Sequence, residues 1–321
     1  MCTKCNMERL VSMVKHFIVD AENAGKSVRH LACQVLGVSG KLLKKLRDQN
    51  LIQVNGIDVR TTQLLCEGDD LSLDIGSVIV EQDDGITPVE LPLSILYEDD
   101  YLIAIDKPAG IVVHPSAYHP ENTIANALVW YYRQTGQRAR IHPVSRLDRD
   151  TTGIILFAKD AHTVHQLFSA HKSGSYAKVY YVLAQGVIEP PSGIIDLPIA
   201  RKPDSIMLRT VREHGAAAQT FYETLHCADG ISFLRVYPIT GKTHQIRVHF
   251  AAVGHPLLND GLYGNGIISD RFMRTGQALH SAILLITHPV TQLPLRITAP
   301  LPQDFQDTLA TLGKHPLTSA L

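Results

Sequence analysis

A chain of 321 residues with 45% apolar and 19% charged side chains has room for about two domains and a substantial core, which excludes a disordered or fibrous protein. Its net charge of −1 gives no overall field to hold a nucleic acid or a membrane, so any such partner has to be met by local patches. No apolar run approaches the length of about eighteen residues needed to span a bilayer, the N-terminus lacks the apolar segment of a signal peptide, and five scattered cysteines are odd in number; a cytoplasmic, non-membrane protein with reduced thiols is expected.

In chain order, Cys2 and Cys5 form a lone C-x-x-C with no second pair and read as a frayed terminus rather than a zinc site. From Lys26 to Arg60 seven basic residues stand against two acidic ones. Within this stretch Val28, Leu31 and Val35 fall at helical spacing. A second helix follows, with Ser39 as its cap, Leu42, Leu43 and Leu46 facing inward, and Lys41, Lys44, Lys45 and Arg47 outward. Ile52 and Val54 alternate before an Asn55-Gly56 turn, and Gly68-Asp69-Asp70 leads into a last strand. Residues 16–76 are therefore expected to form a small unit of two helices and a hairpin, and the acidic, proline-containing stretch 77–92 a linker.

The body is expected over 93–300. Two strands flank the Glu98-Asp99-Asp100 turn, and Asp106-Lys107-Pro108-Ala109-Gly110 makes another turn. The segment from Pro143 to Asp160 places Asp148 in a loop between Arg146 and Arg149, ahead of Thr151, Thr152, Gly153 and a buried strand Ile154 to Phe157. A carboxylate on a loop fixed to the core is where functional groups concentrate, although an Arg–Asp surface turn has the same residues. Asp160 caps a helix with Val164, Leu167 and Phe168 on one face, ended by Gly174. Lys178 to Ile188, Gln219 to Cys227 and Ile231 to Ile239 read as strands. Strands outnumber helices with few β-α-β alternations, giving an α+β fold on a mixed, largely antiparallel sheet. Residues 301–321 offer a tail with a short helix.

A second constellation lies between Thr240 and Gly264. Thr243 is placed to cap a helix ended by Gly254 and Pro256, with Ile246, Phe250 and Val253 buried and His244 and Arg247 sharing another face. Gly241-Lys242-Thr243 ends like a P-loop, but the first glycine of that motif would fall on Val236. The His162/His165 pair lacks an acidic residue between its members, so no metal is expected, and the Gly261 to Gly266 run does not follow a strand and open a helix as a dinucleotide site requires.

Four segments in order, 106–115, 143–153, 178–186 and 241–264, resemble the RluA-type pseudouridine synthases, which isomerise uridines in large-subunit ribosomal RNA and transfer RNA. The resemblance implies a catalytic domain of the pseudouridine synthase type, with Asp148 as the catalytic aspartate, Tyr180 as the active-site tyrosine, Arg247 as the arginine paired with the aspartate, and Arg146 in support. Residues 26–75 resemble the S-four-type RNA-binding domain, which implies RNA contacts for Lys41, Lys44, Lys45 and Arg47. Ser145 replaces the family's usual histidine, Thr152 its serine, Lys242 its commoner arginine and Asp106 its commoner asparagine. The implied reaction breaks the glycosidic carbon–nitrogen bond and rejoins the uracil through carbon five, without net redox change, so no cofactor is expected. The carboxylate would attack the anomeric carbon or remove the neighbouring ribose proton, Tyr180 would stack on the base, and the uridine would be flipped from its strand. The expected partner is RNA, met by a monomer. A non-catalytic RNA-binding protein is the alternative, and a glycoside or nucleoside hydrolase would need a second carboxylate for acid–base work.

Overall fold

The computed structural model describes residues 14–75, 77, 85–137, 139–172, 176–264 and 276–313. Cys2 and Cys5, most of the acidic stretch (78–84), Gly174, Asn265 and Gly266, the end of the tail and the side chains of Lys41 and Phe168 lie outside them.

The N-terminal part builds its own core. Strands β1 (Val14–Ile18), β2 (Ile52–Val54), β3 (Ile57–Asp58) and β4 (Asp70–Asp74) form an antiparallel sheet in the order β1-β4-β2-β3. Asn55 and Gly56 both take positive φ (52° and 79°), as the two-residue β2–β3 turn requires. Against this sheet pack α1 (Val28–His30), which continues as a π-helix over Leu31–Val35, and α2 (Gly40–Asp48), whose first turn is capped by Ser39 Oγ accepting from the Leu42 amide. Leu42, Leu43 and Leu46 are buried as their spacing predicts. Val35 is not: the wider π turns rotate it to 43% exposure, and Ala32 takes the inward place beside Leu31.

The second part is a ten-stranded sheet. Strands β5 (Ile95–Glu98), β6 (Leu102–Lys107), β7 (His142–Pro143), β8 (Thr152–Ala158), β9 (Tyr176–Gln185), β10 (Ser192–Asp196), β13 (Gln219–Ala228), β14 (Ile231–Pro238), β15 (Leu279–Thr287) and β16 (Pro294–Thr298) contribute. The main order is β10-β13-β14-β9-β15-β8-β6-β5, with β16 on β15 and β7 on β8; a hairpin of β11 (Ile199–Arg201) and β12 (Arg209–Val211) stands apart. Every pairing in the large sheet is antiparallel except β8 with β15, so the fold is α+β on a mixed, largely antiparallel sheet. Strand β8 is buried at all seven positions, which is why its sequence is apolar without alternation from Gly153 to Ala158.

Helices cover this sheet. α3 (Ile124–Gln134) opens with a reciprocal capping box between Thr123 and Asn126 and buries Ile124, Ala125 and Leu128 in the cluster that also holds Tyr180, Leu147 and Ile246. The end of the acidic stretch joins it: Ile86 is buried there, and Asn126 Nδ2 donates to the Thr87 carbonyl at 2.7 Å. α4 (Ala161–Lys172) is capped by Asp160, which accepts from the amides of His162 and Thr163, both at 2.8 Å. α5 (Gln245–Ala252) carries Arg247, and α6 (Gln303–Thr311) is the helix foreseen near the C-terminus. It buries Phe305 and Leu309 completely against Tyr181 and Phe233, closing one face of the sheet.

The parallel β8–β15 contact fixes the loop that carries Asp148. Gly153 sits opposite Ser281 with φ +96°, and a Cβ there would come 2.2 Å from the Ser281 carbonyl oxygen, so only glycine lets the two backbones approach. Beside it, Thr152 Oγ1 lies 2.8 Å from Nδ1 of the fully buried His280. Burial lowers the His280 pKa from 6.5 to about 4, and burial likewise lowers that of His162 to about 3. The unfolded chain takes up these protons near pH 6.5 and the folded chain only well below it, so their contribution is complete above pH 6.5 and is lost as pH falls toward 4. For His280 the loss is on the order of 3 kcal/mol. Stability from urea unfolding is expected to decline between pH 6.5 and 4, and the His280→Asn variant to show a shallower decline.

Candidate active site

Arg247 is the centre of the site. Its guanidinium is 4% exposed and donates through Nε and Nη2 to the two oxygens of Asp260, both at 2.7 Å, and through Nη1 to Asp148 Oδ2 at 2.8 Å. Asp260 is itself held: its Oδ1 accepts from the amides of Leu262 and Tyr263 at 3.0 and 3.1 Å, and its side chain is fully buried. The Tyr263 ring lies 5.2 Å from the guanidinium carbon. Burial alone would lower the arginine's pKa, but the two carboxylates raise it, so Arg247 is a permanent cation.

Asp148, on the loop before β8, and Arg247, on α5, are 99 positions apart in sequence and are joined by this hydrogen bond. The Asp148 side chain keeps 25% of its surface open while Arg247 keeps 5%, so the carboxylate is the exposed end of a buried chain of charges. The two arginines that flank Asp148 in sequence do not bind it. Arg149 pairs with Asp150 at 3.0 Å, and Arg146 is exposed and makes no hydrogen bond or ion pair among the described residues. Asp148 opens a turn, its carbonyl accepting from the Thr151 amide at 3.2 Å, and within that turn Arg149 is held by Asp150, so the flanking pattern in the sequence gives no contact to Asp148.

Lys107 fastens the loop from beneath. It is completely buried and donates from Nζ to the carbonyls of Pro108, Ile111 and Arg149 at 2.8, 2.9 and 2.7 Å. Burial pushes its pKa down to about 8, with Asp150 and Asp148 pulling the other way. Tyr180 lies on β9, where it pairs with Ser281, the residue that also faces Gly153 from β15. Its ring packs in one cluster with Leu147 and Ile246, the neighbours of Asp148 and Arg247, and its hydroxyl makes no hydrogen bond among the described residues. Ser145, where the family resemblance predicts histidine, has its hydroxyl buried next to Tyr176 and not presented to the site.

Two expectations for α5 are corrected. Its N-cap is His244, in the left-handed conformation (φ 58°), not Thr243. Gln245 closes the turn instead, its Oε1 accepting from the Lys242 amide at 2.9 Å and its Nε2 donating to the Gln219 carbonyl at 2.9 Å. Val253 is 40% exposed because the helix ends at Ala252. Residues the sequence reading missed are Asp260, hidden in what looks like an Asn-Asp-Gly turn, and Tyr263. Asp260 is a second carboxylate in the site, but Arg247 and two amides occupy its oxygens, so it is not free for acid–base work.

On the N-terminal unit, Lys44 and Arg47 are exposed and, with Arg29, Gly40, Leu43 and Thr61, line a cavity of about 220 Å³. Arg47 also pairs with Asp48 at 2.6 Å, and Lys45 is half-buried.

Comparison with known proteins decides the family. The sequence profile of the RNA pseudouridylate synthases matches residues 101–252. An RNA pseudouridine synthase of Bacillus subtilis, YjbO, is 40% identical over 270 residues, covering 84% of this chain and 93% of its own. The chain belongs to the RNA pseudouridine synthases. The synthase is therefore an isomerase that acts on RNA. It is 34% identical over 276 residues to the ribosomal large subunit pseudouridine synthase D of Haemophilus ducreyi, covering 83% of this chain and 84% of that one. The solved structure of human RNA pseudouridylate synthase domain containing 4 superposes with a TM-score of 0.56 at 25% identity, over 68% of this chain and 93% of that one. Among the synthase's described residues no helix is long and apolar enough to cross a membrane.

Since Asp260 neutralises a buried arginine, Asp260→Ala is expected to destabilise the synthase by about 3–5 kcal/mol and to release Asp148 from its fixed orientation. Urea unfolding reads the first effect, and loss of turnover in the fraction still folded reads the second.

Proposed function

We propose that this synthase converts a uridine of large-subunit ribosomal RNA to pseudouridine, with Asp148 as the catalytic carboxylate. The observation that carries this reading is the Asp260–Arg247–Asp148 chain of charges, which ends in a part-open carboxylate whose Oδ1 makes no hydrogen bond among the described residues. Arg247 occupies Oδ2, so Oδ1 is the atom left to act at the ribose of the target. The glycosidic bond from C1′ to N1 breaks, the uracil turns while it is held, C1′ bonds to C5, and the proton of C5 leaves to solvent while N1 takes one up, so the product is an isomer of the uridine. Tyr180, whose ring packs in one cluster with Leu147 and Ile246, is the residue read as stacking on the turning base and assisting removal of the C5 proton. The uridine reaches the site only after leaving its stack, and the exposed Arg146 is suited to hold a phosphate beside the gap it leaves. Relatives named for the large ribosomal subunit, at 34 to 37% identity, support ribosomal RNA as the substrate.

The N-terminal unit is read as an S-four-type RNA-binding domain, in which Lys41, Lys44, Lys45 and Arg47 contact phosphates, joined by Arg29, which lines one cavity with Lys44 and Arg47. Such contacts position RNA without reading its sequence.

Two measurements test this. Ribosomal and transfer RNA labelled with tritium at uridine C5, taken from cells lacking the enzyme, is expected to release tritium with the wild type and to release none above background with Asp148→Ala. Release by the variant removes Asp148 from its role, and release from transfer RNA alone moves the substrate. For the N-terminal unit, Lys44→Ala with Arg47→Ala is expected to weaken RNA binding and to lower the slope of log K against log salt by about 1 to 2. A slope equal to that of the wild type removes these residues from the interface.

A further inference from the structure

Two polar atoms of the site are unengaged. Asp148 Oδ1 and His244 Nε2 lie 3.7 Å apart, and neither makes a hydrogen bond among the described residues. That separation is too long for a direct hydrogen bond and suits one bridging oxygen. Both side chains keep some surface open, 25% for Asp148 and 13% for His244.

The protein fixes the histidine ring with care for this position. His244 holds a left-handed backbone (φ 58°, ψ 18°), a conformation that stores about 1–3 kcal/mol in a non-glycine residue and collects at functional sites. Its ring meets Tyr263 edge-on at 5.7 Å, and Nδ1 lies 2.8 Å from the Tyr263 hydroxyl. That hydroxyl already accepts from the Arg209 amide at 3.0 Å. Giving its one proton to Nδ1 satisfies the phenol and leaves the ring's own proton on Nε2, where it faces Asp148 as a donor. The opposite tautomer would leave the phenolic proton without a partner and turn a lone pair on the carboxylate. Burial, with the cations Arg247 and Arg209, holds the His244 pKa below the ordinary value against the pull of Asp148 and Asp260, so the ring is neutral at pH 7.

We propose that Asp148 Oδ1 and His244 Nε2 together bind the 2′-hydroxyl of the target uridine, Oδ1 accepting its proton and Nε2–H donating to its oxygen, so that His244 selects ribose over deoxyribose. The proposal rests on Asp148 being the catalytic carboxylate: whether Oδ1 attacks the anomeric carbon or removes the proton of the neighbouring carbon, it comes to lie beside the 2′-oxygen. A hydroxyl is both donor and acceptor, and the pair presents one of each. His244 is thus a substrate-contacting residue of the known reaction, and Tyr263 positions it.

The experiment uses the RNA transcript that the wild type modifies, made with uridine or with 2′-deoxyuridine at the modified position, and measures kcat/KM for wild type, His244→Ala, His244→Gln and Asp148→Ala. The deoxy target keeps the anomeric carbon and the C2′ proton, so either route remains open to it. The wild type is expected to lose about 10- to 100-fold on the deoxy target, and His244→Ala to lose a similar factor on the ribose target with little further loss on the deoxy one. His244→Gln, which keeps an N–H at a similar reach, is expected to recover most of the rate on ribose. Nitrogen-15 spectra of the folded wild type at pH 7 are expected to show a neutral His244 protonated at Nε2. Equal losses on both sugars for His244→Ala, full activity of His244→Ala on ribose, or an Nδ1-protonated ring overturns the proposal while leaving Asp148 in place. An active Asp148→Ala, or a wild type that modifies no RNA, overturns the underlying assignment and the proposal with it.

Discussion

The positive charge of Arg247 is what the rest of the site depends on, because a guanidinium this deeply buried is tolerable only while its donors are occupied and its charge is matched. Asp260 does most of this work. Its two oxygens take one edge of the fork, and the turn that supplies it also supplies two amides to hold it and the Tyr263 ring beside the cation. Of the N–H groups that remain, one on Nη1 points at Asp148 with a fixed direction. Asp148 is placed by that donor, and the asymmetry follows from burial: an exposed ion pair contributes about 0–1 kcal/mol, whereas breaking a buried one costs about 3–5. The buried pair therefore sets the geometry, and the part-open pair inherits it.

Placing the carboxylate from one side would leave it on a swinging loop. The backbone is held from the other side by the three carbonyls gathered on Lys107, one of which belongs to Arg149, next to Asp148. The same loop then runs into β8, where Gly153 permits the close parallel approach to β15. Ser281 faces Gly153 on one side and Tyr180 on the other, so the register of three strands also decides where the tyrosine ring stands relative to the aspartate. A bulky residue at 153 would act on catalysis through the sheet.

How much of this was legible in the sequence depended on how local its cause is. The caps at Ser39 and Asp160, the Asn55-Gly56 turn and the apolar run of β8 are set by residues within a few positions of one another, and they read correctly. Val35 and Val253 were expected inside because helical spacing assumes a regular helix of full length; a π turn moved the first and an early helix end released the second. Thr243 was a sensible cap by type, but a glutamine one residue into the helix satisfied the turn and freed His244 for a left-handed backbone that no local pattern announces. Asp260 was missed for a similar reason. Its Asn-Asp-Gly neighbourhood is ordinary turn chemistry, and only the tertiary fold brings it onto the arginine 13 positions before it.

The departure at Ser145 takes on a different meaning once its surroundings are known. A histidine at that place would bring a ring that can stack or donate, whereas serine is smaller and cannot stack on a base. The Ser145 hydroxyl, however, is buried beside Tyr176 and is not offered to the pocket. The imidazole that does face the carboxylate comes from His244, at the start of α5, with its tautomer set by a tyrosine and its backbone held left-handed. Recognition of the ribose is thereby separated from the loop that carries the reacting group. That separation lets residue 145 vary toward packing needs, since the donor that meets the sugar is anchored by the same turn that anchors Arg247.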